Sequence, residues 1–120
     1  ILSNFNNFNK YMSQIFQTSF PKNDFFEFIN NFCEKNNNQY IFSKEAFKRI
    51  KLEKKENDFC DELKKYYFPS KYHYLERDKT YKNFVTIIRQ ICKYHHIPFT
   101  SDIKYSKSKY EIKYFIYQDL

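Results

Sequence analysis

Residues 99–117 constrain the fold most tightly, because they alternate and the alternation has one self-consistent pairing. Place Tyr105 opposite Tyr110, with Ser106-Lys107-Ser108-Lys109 as a four-residue loop. Ile103 then faces Ile112, Ser101 faces Tyr114 and Phe99 faces Ile116, giving one mostly apolar face. On the other face Lys104 meets Glu111 and Asp102 meets Lys113. Cross-strand pairs of these kinds contribute about 0.2–1 kcal/mol each. A slip by one position turns the whole apolar set to water, so the pattern specifies register as well as strand. The loop lacks Asn-Gly and Asp-Gly, which favours a four-residue connection on a type I turn.

Pro98 separates this hairpin from a helix expected over 80–97. There Tyr81, Phe84, Val85, Ile88, Ile91 and Cys92 recur at helical spacing, and Lys82, Thr86, Arg89, Lys93 and His96 recur by fours and threes on the other side. Proline lacks the N–H a helix interior needs, so the helix stops before it. One oily side, one cationic side and a following hairpin predict a helix presented for contact and braced by a wing.

At 120 residues the chain has room for one domain and one core. It contains no Gly, so positive φ has no cheap carrier. A Gly-rich phosphate loop, a dinucleotide fingerprint and a nucleophile elbow are thereby excluded, and no cofactor is expected. Abundant Lys, Asn, Ile, Phe and Tyr with a single alanine, Ala46, look like the product of an AT-rich genome. Such codon bias raises Lys whatever the function, so the distribution of the net +7 charge says more than its size. Residues 1–60 carry nine Lys/Arg against seven Asp/Glu, and residues 61–120 carry twelve against seven. The excess accompanies the helix and hairpin.

No run approaches the ~18 apolar residues of a membrane span, and no basic segment precedes an apolar one near the N-terminus as in a secretory signal. No membrane partner is expected. Opening on Ile1 rather than Met suggests an excerpt or a processed product. Cys33, Cys60 and Cys92 are odd in number and lie in amphipathic stretches. They read as reduced core cysteines of an intracellular protein of nucleus, cytoplasm or viral factory.

Residues 1–20 place Phe5, Phe8, Met12 and Ile15 at steps of three and four, with Phe16 beside them. This predicts an amphipathic helical arm that packs on the domain or takes a protein partner or second copy. Pro21 opens a single domain over 21–120. Asp24 with Glu27 resembles a capping box, and Phe25, Phe28, Ile29, Phe32 and Cys33 predict a helix over 24–35, ended by Asn36-Asn37-Asn38. Gln39 to Phe42 reads as a short strand, and Ser43 as the N-cap of a helix carrying Ala46, Phe47 and Ile50. The charged run Lys51–Asp58 is either the solvated middle of one long helix or a polar turn between two. Phe59, Cys60, Leu63, Tyr66 and Tyr67 then resume the helical stripe, and a loop over 70–78 leads to the helix at 80–97.

The order is helix, short strand, helix or helix pair, helix, strand, strand. It predicts an α+β chain, mainly helical, with a C-terminal antiparallel β-hairpin in a two- or three-stranded sheet. That order is similar to a winged-helix domain over residues 22–118. The resemblance implies that the short first strand joins the edge of the hairpin, and that the helix before the hairpin enters the DNA major groove.

Several groups of residues carry possible chemistry. Lys82, Asn83, Thr86, Arg89, Gln90 and Lys93 are types that contact base edges or phosphates, with Arg suited to guanine and Asn or Gln to adenine. Lys107 and Lys109 at the wing tip would grip flanking phosphates. The competing account is a solvated face of a Lys-rich chain. Asp102 with Glu111-Ile112-Lys113 resembles the metal-binding heart of PD-(D/E)xK nucleases, where carboxylates hold Mg²⁺ and the lysine serves water. That core needs a further helix and strand, so two exposed cross-strand ion pairs are the simpler expectation. Cys92 and His95 share one helix face, but a structural zinc site needs about four ligands. A core cysteine beside a boundary histidine is expected instead.

Tyrosines interleaved with lysines can stack single-stranded bases. On the inner hairpin face Tyr105, Tyr110 and Tyr114 read more simply as core. Phe115 and Tyr117 share the outer face and mark a docking surface if exposed, or core if the N-terminal arm covers them. The expectation is a noncatalytic nucleic-acid-binding module, with DNA favoured over RNA. The alternative is a protein-interaction or structural protein, a viral one included, using the aromatic arm and the hairpin face.

Overall fold

The computed structural model describes residues 20–66, 74–107 and 109–118. The described residues form helices α1 (Lys22–Asn30), α2 (Lys44–Leu52), α3 (Glu56–Lys64), α4 (Tyr74–Arg77) and α5 (Tyr81–Tyr94). Their strands are β1 (Glu34–Asn36), β2 (Gln39–Phe42), β3 (Phe99–Ser106) and β4 (Lys109–Tyr117), joined in one antiparallel sheet of order β1-β2-β4-β3. The chain is α+β. Its sheet has four strands rather than two or three, so it is no helical body with a hairpin appended.

The extra strand takes Glu34 and Lys35 from the expected helix and Asn36 from its expected terminator. α1 begins at Lys22 with Pro21 as N-cap, and no side chain caps it. Asp24 instead accepts a hydrogen bond from the Tyr66 hydroxyl at 3.2 Å. After Asn30 the helix breaks, although the N–H groups of Phe32 and Cys33 still bond the Ile29 carbonyl. Glu34, Lys35 and Asn36 then pair with Ile41, Tyr40 and Gln39. Asn37, at φ 56°, carries the reversal, a conformation asparagine tolerates better than most residues. The apolar stripe runs on to Phe32, so periodicity cannot see where the backbone leaves the helix.

The following helices match their local signals closely. Ser43 Oγ accepts from the Ala46 N–H, and Ala46, Phe47 and Ile50 are buried. The charged run is divided by a turn at residues 53–55, its ends belonging to α2 and α3. Lys54 takes φ 56° there, and the N–H of Lys55 bonds back to the Ile50 carbonyl at 2.8 Å, which closes α2 in a Schellman motif. Thr80 caps α5 by accepting from the Asn83 N–H, and α5 ends in a second such motif. His96 sits at φ 56° while Ile97 N–H reaches the Cys92 carbonyl.

α5 buries Phe84, Val85, Ile87, Ile88, Ile91 and Cys92, a wider arc than its apolar stripe. The reason is that several elements surround it. Phe84 stacks on Phe59 of α3 at 4.1 Å and meets Phe47 of α2 edge-on, while Arg89 lies over hairpin rings. Aromatic pairs add about 0.5–1.5 kcal/mol each beyond area burial.

In the hairpin, Tyr105 lies opposite Tyr110, Ile103 opposite Ile112, Asp102 opposite Lys113 and Lys104 opposite Glu111. The ladder also includes Ser106 with Lys109, so the connection is positions 107 and 108 rather than four residues. Lys107 turns it at φ 47°. β2 pairs with β4 only as far as Phe42 opposite Tyr114. Beyond that point β4 has an open edge among the described residues, and Tyr81 fills part of it. Its hydroxyl donates to the Ile112 carbonyl at 2.9 Å, and its ring stacks on Phe42.

The expected arm over 1–20 lies outside the described residues except for Phe20. Phe20 is buried against Phe25, Phe28 and Tyr66, and its carbonyl lies 2.6 Å from His95 Nε2. No described helix is long and apolar enough to cross a membrane.

Candidate nucleic-acid interface

α5 turns one flank outward, and that flank forms a wall of a groove of about 890 Å³. The opposite wall is the open edge and inner face of β4, contributed by Lys109, Tyr110, Ile112 and Tyr114. The first turns of α2 close one end with Lys44 and Lys48. Lys82, Thr86 and Arg89 come from α5, and Tyr81 and Val85 line it beneath. Lys44, Lys48, Lys82, Arg89 and Lys109 thus face a space where, among the described residues, Glu111 is the one carboxylate. The ion pairs Arg49–Glu34, Lys55–Glu53 and Lys65–Glu62 lie elsewhere. Among the described residues, none of the five cations is in an ion pair. Like charges gathered along a concave wall focus a positive potential there.

The residues expected to make contacts divide accordingly. Lys82, Arg89 and Lys93 are exposed on α5, and Lys82 and Arg89 enter the groove wall. Arg89 lies 5.6 Å from the Phe99 ring centroid and 5.8 Å from that of Tyr114, which orients its guanidinium without neutralising it. Thr86 is half-buried, and its hydroxyl donates to the Lys82 carbonyl at 2.9 Å. Asn83 uses its side-chain amide on the Asp78 carbonyl at 2.7 Å, which ties down the turn before α5. Gln90 is half-buried and, like Asn83, Lys93 and Lys107, is not in the wall. Lys109 is in it. The exposed groups of α5 are therefore mainly charged, suited to phosphates more than to base edges.

Sequence reasoning missed Lys44, Lys48 and the role of Tyr110. The signal for the first two was present. Residues four apart on a helix share a face, and these lysines lie off the Ala46–Phe47–Ile50 stripe.

Asp102 and Glu111 lie opposite lysines on separate strands, and among the described residues no group of three or more His, Cys, Asp or Glu is placed to hold a metal ion. Cys92 is fully buried, and burial pushes its thiol up to about 12. Burial also lifts the Cys33 thiol and, to a lesser extent, so does nearby Cys92. Burial raises the Tyr81 hydroxyl as well, which keeps it protonated as the donor to Ile112. Phe115 and Tyr117 on the outer face are half-buried, as is Ile41 opposite Phe115.

No family model, curated protein or solved structure matches this chain. The functional reading therefore rests on the groove.

Proposed function

We propose that this domain is a noncatalytic nucleic-acid-binding module of winged-helix-like order, with α5 as contact helix, β3–β4 as wing and DNA as its partner. The observation that carries the reading is the groove between them, where Lys44, Lys48, Lys82, Arg89 and Lys109 face one carboxylate among the described residues. β2 adjoining β4 at the edge of the hairpin supports the winged order. A polyanion entering such a groove releases condensed counterions, so affinity depends steeply on salt.

Fluorescence anisotropy with a labelled DNA at several salt concentrations tests this. The double substitution Lys48→Ala with Lys82→Ala removes two exposed side chains and leaves the core untouched. Affinity should drop, and the logarithmic salt slope on duplex DNA should become shallower by about 1.8, at roughly 0.9 per phosphate contact. Unchanged binding in this variant, with an unchanged circular dichroism spectrum, would reject the groove as the binding site.

A further inference from the structure

The hairpin outgrows the helix that supports it. On its inner face, Phe99 with Ile116 and Tyr114 pack near α5, where Ile116 is fully buried. Farther out exposure climbs, to 47% at Ile103, 61% at Tyr110 and 81% at Tyr105. The rings of Tyr105 and Tyr110 lie 6.2 Å apart at 49° to one another. Tyr110 itself lines the groove beside Lys82, Arg89 and Lys109. A fold does not need these rings in water. They are the side chains that stack on a planar partner.

The open edge of β4 adds a second feature. Ile112 directs its carbonyl away from β3, toward Tyr81. In an antiparallel strand the N–H of the same residue and the polar groups two residues on share that direction. The backbone N–H groups of Ile112 and Tyr110 thus point to the side of the lysines. The cations, Ile112 and Tyr110 line one groove, and Tyr105 lies beside Tyr110.

A duplex hides its base faces inside the stack and offers only edges, so it cannot use the tyrosines. Resting on the nucleic-acid reading above, we infer that the groove takes a single-stranded segment. The five cations hold its phosphates, and bases stack on Tyr110 and then Tyr105. Stacking of this kind tolerates any base, because every base has a π-face.

The test compares a labelled oligothymidylate with a blunt duplex of the same length, using the full chain. The single strand should bind more tightly. Tyr105→Ala with Tyr110→Ala should weaken single-strand binding about 5- to 150-fold per stacked base, while the paired Tyr→Phe variant retains binding. Both positions are exposed, and circular dichroism confirms that the variants fold. Undiminished single-strand binding in the alanine variant, or tighter binding of the duplex by the wild type, overturns the inference while leaving the nucleic-acid reading intact. No binding to either probe overturns both.

Discussion

Among the described residues of this glycine-free chain, four hold positive φ: Asn37, Lys54, His96 and Lys107. Left-handed backbone costs a residue with a Cβ about 1–2 kcal/mol, and at Lys54 nothing but the turn after α2 requires it. Lys54→Gly should therefore stabilise the fold by about 1 kcal/mol, read as a higher urea midpoint at unchanged slope. Cys92 makes a second residue-level prediction. Its thiol ionises near its ordinary value of 9 when unfolded and near 12 when folded. Between those values the folded state keeps a proton that the unfolded chain has lost. Stability is thus whole below pH 9 and falls as pH rises toward 12. Urea midpoints should decline over that window, and Cys92→Ala should lessen the decline.

Tyr81 ties three elements together, bonding the Ile112 carbonyl of β4 and packing on Phe42 of β2 and Phe47 of α2. Tyr81→Phe keeps the rings and leaves that carbonyl short of a donor, so it should cost about 1–2 kcal/mol in urea unfolding. A variant as stable as wild type would mean that water replaces the hydroxyl. The elements differ in how much of them the sequence displays. Hairpin register follows from alternation, because a slip inverts every side chain. The caps at Ser43 and Thr80 follow from hydroxyls placed just before apolar stripes. β1 is invisible, because Glu34-Lys35-Asn36 has all its side chains exposed and no alternation to show. Its strand character comes from pairing with β2. The hairpin loop is shorter than the four residues expected, for a related reason. Lys107 supplies the positive φ that a two-residue connection asks of glycine or asparagine, a choice made by the strands it joins.

At the scale of the molecule, charge is segregated rather than spread. A second groove, of about 640 Å³, is lined by Asp24, Glu27, Asp58, Asp61 and Glu62 with Lys55 and Lys65. Among the described residues the cations of the first groove therefore lie apart from these acids, which favours oriented approach of a polyanion. If each groove cation holds one phosphate, the salt slope should be about −4.5 on duplex and about −3.5 on a single strand. A slope near zero for either would show that phosphates are not what the groove binds. By itself the sequence determined the faces of α5 and the register of β3 with β4, because helical and strand periods are local properties of the backbone. It also determined that Lys82, Arg89 and Lys93 would face water, since burying an unpaired cation is too costly. Only the tertiary structure decided that Lys44 and Lys48 join Lys109 across a groove and that Tyr105 and Tyr110 stand clear of the core. Those outcomes depend on where β2 stops along β4 and where α2 docks, and such long-range contacts leave no period in the chain.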